Sequence, residues 1–112
     1  MNAKFLCGVL SLTGAMLFSP ATYAVDADAA QALAKKEGCL KCHAIDKKKE
    51  GAALKEISAK YKGKADAEAK LVNHITSGEK VKFDDGREEE HKIIKTKDAA
   101  EIKNLIDWIL SL

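Results

Sequence analysis

The sequence predicts an all-α fold, and three observations predict it. Four segments place apolar residues at helical spacing, three or four positions apart. Glycines or acidic caps stand at their ends. Strand signals are confined to one weak stretch, "VKFDDG" (Val81 to Gly86), where Asp85-Gly86 can close half of a small hairpin but supports no sheet.

The first 24 residues stand apart from these elements. Lys4 gives a short positive start, Phe5 to Phe18 is uncharged and mostly apolar, and Ser19, Pro20, Thr22 and Ala24 form a small-residue end. That is the layout of a secretory signal peptide over residues 1–24, with cleavage after Ala24 and export to the periplasm. The run falls short of the roughly 20 apolar residues that a spanning helix needs. The reading therefore leaves no stable membrane span after cleavage. Cys7 does not stand at the end of the run, where a lipid-anchor site would place it. Residues 25–112 then form one small domain, and a domain of that size carries a thin core that often needs a staple.

The four helices follow in order. The first is expected over about Asp28 to Glu37, with Ala29, Ala30, Leu33 and Ala34 as its stripe and Gly38 as its stop. The second covers about Ala52 to Tyr61, with Leu54, Ile57 and Tyr61 on one side and Gly63 beyond. The third covers about Asp66 to Thr76, its buried side marked by Leu71, Val72 and Ile75, with Gly78 beyond. The fourth, about Ala99 to Leu110, has the clearest signals. Asp98 is a good N-cap, Glu101 completes a capping-box-like pair, and Ile102, Leu105, Ile106, Trp108 and Ile109 form a broad stripe. Between the third and fourth helices, Gly78 to Lys97 carries no firm element. Connections that long in a compact domain are usually functional or disordered, and Val81, Phe83, Ile93 and Ile94 argue that this one packs.

Charge is balanced. There are 19 basic and 17 acidic residues, net +2, interleaved along the chain as on a soluble surface, so nucleic acid is not indicated as a partner. Met1, Met16 and Pro20 are the only methionines and proline, so residues 25–112 contain neither type. Two of the three cysteines, Cys39 and Cys42, remain there.

Those cysteines lie in "CLKCH" (Cys39 to His43). C-x-x-C-H is the attachment signature of c-type haem. Two thiols add to the two vinyl groups on one edge of the macrocycle, and the histidine after the second cysteine is held under the iron as its proximal ligand. Three other uses of these residues compete. A disulfide across so short a loop stabilises little. A thioredoxin-like pair needs a βαβ setting, whereas these flanks read helical. A zinc site drawn from Cys39, Cys42, His43, His74 and His91 lacks the usual second, closely spaced ligand pair. One covalent haem c also supplies the apolar mass that so short a chain lacks.

From "DADAAQALAKKEGCLKCH" to "DAAEIKNLIDWILSL" the chain resembles the small bacterial class I monohaem c-type cytochromes, and "GAALKEISAKY" and "IKNLIDWILSL" are typical companions of the motif. The resemblance implies about four helices wrapped around one haem. The first and last helices would cross, pairing Ala30 and Leu33 with Leu105, Trp108 or Ile109. It also implies a periplasmic electron carrier rather than an enzyme. Two departures stand out. Family members carry Gly-Pro after the motif, and the proline carbonyl accepts a hydrogen bond from the proximal imidazole; here the pair is Gly51-Ala52, and the Ala52 carbonyl is expected to take that bond. The usual sixth ligand is a methionine before the last helix, and residues 25–112 have none.

His91 lies in the matching region and is the leading candidate for the sixth ligand, because neutral imidazole binds iron well. Ile93 and Ile94 are expected to seal the haem edge beside it. His74, off the apolar face of the third helix, is the weaker alternative, and the lysines at 80, 82, 92 and 95 would first have to lose a proton. Two imidazoles suit outer-sphere electron transfer at a lowered potential, and Glu88 to Glu90 would lower it further if they lie near the iron. An open iron face would instead bind NO, CO or O2, or show weak peroxidase chemistry. Lys41 and Lys47 to Lys49 around the motif would steer acidic redox partners. A chain of this size is expected to be a monomer.

Overall fold

The computed structural model describes residues 14–17 and 24–112, so the leader expected over residues 1–24 lies almost wholly outside the described residues. Four helices carry the fold: α1 (Ala27–Lys36), α2 (Leu54–Tyr61), α3 (Ala67–Thr76) and α4 (Ala99–Ser111). One turn of 3-10 helix (Cys39–Lys41) follows α1, and two short strands, β1 (Lys80–Lys82) and β2 (Glu88–Glu90), precede α4. No helix among the described residues is long and apolar enough to cross a membrane.

Asp26 starts α1 by accepting the Ala29 N–H at 3.0 Å. Asp98 starts α4 in the same way, accepting from Ala100 and Glu101. The capping box expected at α4 is modified. The Glu101 carboxylate accepts the Thr96 hydroxyl at 2.7 Å, so the bond ties the incoming loop to the helix start.

Helices α1 and α4 pack together as the resemblance implied. Ala30, Leu33 and Ala34 meet Leu105 and Trp108 in one buried cluster that also takes in Leu54 and Ile94. The crossing is stitched by a polar clamp. The buried Asn104 amide accepts the Asp26 N–H and donates to the Asp26 carbonyl, both at 2.9 Å. Fully buried Ser58 of α2 donates to the Leu110 and Leu112 carbonyls, filling acceptors that the end of α4 leaves unpaired.

The connection from Gly78 to Lys97 corrects the sequence reading, because it contains a two-stranded antiparallel hairpin. Lys80 faces Glu90, Val81 faces Glu89 and Lys82 faces Glu88. Lysine and glutamate are poor strand formers taken singly. Opposite charges directly across an antiparallel pair support it, and a linear reading does not see them together. Arg87 lies over the Phe83 ring, 4.4 Å from its centre, which covers that aromatic at the turn.

The chain after the hairpin is fastened at three points. The His91 N–H donates to the Glu79 carbonyl at 2.9 Å, and the Ile94 N–H to the Ile75 carbonyl at 2.8 Å. The Glu37 carboxylate accepts the backbone N–H groups of Lys95 and Thr96, at 2.8 and 3.3 Å. Ile94 is buried in the core, while Ile93 is 46% exposed.

Candidate functional site

Gly38 adopts a left-handed conformation (φ 79°) that only glycine takes readily, and this turns the chain from α1 into the Cys39–Lys41 turn. The Cys39 carbonyl then accepts from both the Cys42 and His43 N–H groups. Both thiols are free; Cys39 is half-buried and Cys42 is exposed. Burial pushes the Cys39 thiol above its usual range, and Glu37 and Cys42 add to this against the opposing pull of its own backbone hydrogen bond and Lys92. A thiol-exchange pair needs the opposite shift, toward thiolate.

The His43 Nδ1–H donates to the Ala52 carbonyl at 2.7 Å. A carbonyl can only accept, so the proton is on Nδ1 and the lone pair is on Nε2, the form that can bind a metal. The contact uses the main chain of Ala52, so it does not depend on the side chain at that position. Gly51 is needed beside it for space. A Cβ there would stand 2.5 Å from the ring carbon Cε1 of His43, closer than such atoms approach.

His91 is partly buried, and its Nδ1–H donates to the Lys92 carbonyl at 2.9 Å. By the same reasoning its Nε2 carries the lone pair. Burial, then the neighbouring His74 and His43, hold its imidazole below the ordinary histidine range and favour the neutral ligating form. The rings of His43 and His91 have their centres 6.3 Å apart, tilted by 44°. An imidazole nitrogen binds a first-row metal at about 2.0–2.1 Å, so two rings on opposite sides of one ion stand roughly 6 Å apart, centre to centre. The separation of the two rings therefore fits an iron held between them.

His74 also reaches this region. Its ring centre is 4.0 Å from that of His91, and its Nδ1–H donates to Glu79 Oε1 at 2.6 Å. The structure thus brings all three histidines near one another, with His91 directly beside each of the other two. Among the described residues, no three or more His, Cys, Asp or Glu side chains converge as a metal-binding group, which is what the zinc reading required. Glu88 to Glu90 form an exposed strand in which Glu88 and Glu90 face Lys82 and Lys80 and Glu89 pairs with Arg87, so their charge is partly offset.

Two residues of this region escape a sequence reading. Glu37, two residues before Cys39, ties the connection that bears His91 to the end of α1. Its signal was its position, since an acidic side chain at a helix C-terminus opposes the helix dipole and calls for a partner. Glu79 carries no comparable signal.

The Cytochrome c family model matches residues 27–112. Cytochrome c-551 of Allochromatium vinosum is 35% identical over 97 residues, covering 87% of this chain and all of that protein. Cytochrome c-552 of Nitrosomonas europaea is 40% identical over 80 residues, 71% of this chain and 75% of that one. Among solved structures, the class 1 cytochrome MtoD of Sideroxydans lithotrophicus ES-1 is 61% identical with a TM-score of 0.75, covering 79% of this chain and 97% of that one. Nitrosomonas europaea cytochrome c552 superposes with a TM-score of 0.59 at 36% identity, over 73% of this chain and 98% of that one. Motif, helix packing and relatives agree: the chain belongs to the cytochrome c family, as a small class I monohaem cytochrome that binds one covalent haem c.

Proposed function

We propose that this cytochrome is an exported single-electron carrier whose iron is ligated by His43 on one face and His91 on the other, with Cys39 and Cys42 as the thioether anchors. The observation that carries the reading is the 6.3 Å separation of two imidazoles whose Nδ1 protons are both committed to backbone carbonyls. The haem supplies the one-electron iron couple. The chain's own part is to hold two neutral imidazoles in fixed places. His43 is fixed by Ala52 and Gly51, and His91 by the fastenings of its backbone to Glu79, Ile75 and Glu37. A ligand pair that stays in place through the change of oxidation state suits electron transfer. Imidazole in place of a thioether also lowers the potential relative to histidine–methionine relatives, because methionine favours the ferrous state.

The location proposed is the periplasm, reached through the leader over residues 1–24. The partners proposed are acidic redox proteins docking on the basic rim at Lys41 and Lys47, with the carrier itself a monomer. Lys48 contributes less, since it pairs with Asp84, whereas Lys49 donates to the neutral Leu40 carbonyl and keeps its charge.

The test is the absorption and electron paramagnetic resonance spectra of oxidised holoprotein, wild type against His91→Ala. The wild type is expected to be low-spin without a methionine–iron charge-transfer band, and the variant high-spin. The midpoint potential should lie below that of histidine–methionine relatives. A low-spin variant, or a potential as high as theirs, would count against the reading. A high-spin wild type that takes up NO or CO directly would favour the competing reading of an open iron face.

A further inference from the structure

The two imidazoles of the proposed pair are not held equally. His43 is gripped by a carbonyl nine residues away and walled by Gly51. The side-chain bond of His91 goes only to the carbonyl of the next residue, Lys92, so it ties the ring to its own loop and to no other element. Something else must set the plane of that ring.

Glu79 and His74 are placed to do so. The Glu79 main-chain carbonyl accepts the His91 N–H at 2.9 Å. Its carboxylate uses both oxygens on α3: Oε1 accepts the His74 Nδ1–H at 2.6 Å, and Oε2 accepts from Asn73 Nδ2 at 3.1 Å. One residue therefore fastens the backbone of His91 and, from its side chain, the orientation of the His74 ring. That ring packs on His91 with centres 4.0 Å apart and a 42° tilt. His74 sits in the last turn of α3, so its position is set by the helix rather than by the loop.

We infer that His74, clamped by Glu79, is a positioning residue: it does not bind the iron but fixes the plane of the His91 imidazole relative to that of His43. The inference rests on the ligation proposed above. It matters because the angle between two axial imidazoles sets the splitting of the iron d orbitals, and hence the anisotropy of the low-spin signal.

The experiment is the electron paramagnetic resonance spectrum of oxidised holoprotein for wild type, His74→Ala, Glu79→Ala, Glu79→Gln, the His74→Ala/Glu79→Ala double variant and His91→Ala, with thermal unfolding beside each. His74→Ala and Glu79→Ala should stay low-spin but show shifted or broadened g values. The double variant should go no further than either single one, because the pair acts as a unit. Glu79→Gln, whose amide oxygen can still accept from Nδ1, should restore the wild-type g values. Wild-type g values and line widths in His74→Ala would overturn the inference while leaving His91 as ligand. So would a lowered unfolding midpoint with no spectral change, since that marks a merely structural role. A high-spin His74→Ala beside a low-spin His91→Ala would make His74 itself the ligand, and would overturn the ligation reading together with the inference.

Discussion

The two sides of the site are built in opposite ways. From Cys39 to Ala52 the supports are local: the Cys39 carbonyl caps the turn, Gly51 donates to the Cys42 carbonyl, and Ala52 accepts from His43. From Gly78 to Lys97 the supports span longer stretches of the sequence. Ile75 and Glu79 hold it from the end of α3 and the start of the hairpin, and Glu37 holds it from the end of α1, across 58 residues of sequence. A locally built side can be recognised as a motif. A side assembled by contacts across the chain shows itself only in the folded structure.

That contrast predicts which substitutions damage which side. The largest effect on stability is expected from Ile94→Ala, which empties a core position shared by the distal connection and the α1–α4 crossing. Truncating a buried aliphatic side chain typically costs about 2–5 kcal/mol. Chemical unfolding should register the loss, and a high-spin fraction should appear in the oxidised spectrum with the haem still attached. Gly51→Ala should strike the other side. Its new Cβ crowds the His43 ring, an overpacking cost of about 1–3 kcal/mol, and the yield of haem-bound protein should fall. Full yield with an unshifted spectrum would mean that the proximal wall is softer than its contacts indicate.

Glu37→Ala should cost somewhat less, about 1–2 kcal/mol for two backbone N–H groups left without their carboxylate acceptor. Its signature is the informative part. Attachment at Cys39 and Cys42 should be unaffected, while the low-spin signal loosens because the connection bearing His91 has lost a fastening. If attachment fails and the low-spin signal of the remainder is unchanged, the division between the two sides is drawn in the wrong place. Asp84→Asn removes an ion pair between two well-exposed side chains at the hairpin turn. Such pairs contribute little, so neither the unfolding midpoint nor the spectrum should move.

How much of this was legible beforehand follows the same division. The Cys39–His43 motif, the Ala52 carbonyl contact and the stripes of α1 and α4 could be read because each depends on near neighbours or on helical periodicity. His91 could be singled out as the candidate in place of methionine, but its fastening could not, because Glu37 and Glu79 meet it only through the fold. The turn of the hairpin at Asp85-Gly86 could be read but its strand pairing could not, because that pairing is supported by charge across the strands rather than β-propensity within them. Glu88 and Glu90 face lysines and Glu89 pairs with Arg87, so the charge of this run is partly offset within the hairpin, which a linear reading does not show.

The sequence by itself determined the chemistry available to this cytochrome: two thiols and an imidazole at fixed spacing, no methionine in residues 25–112, and four amphipathic helices. Local geometry and the periodicity of the helix suffice for that. Only the tertiary structure decided that His91 stands 6.3 Å from His43, that His74 packs against it, and that Glu79 and Glu37 hold the connection in place. The reason is physical: polar contacts between distant segments exist only after the core of α1, α4 and Ile94 has brought those segments together.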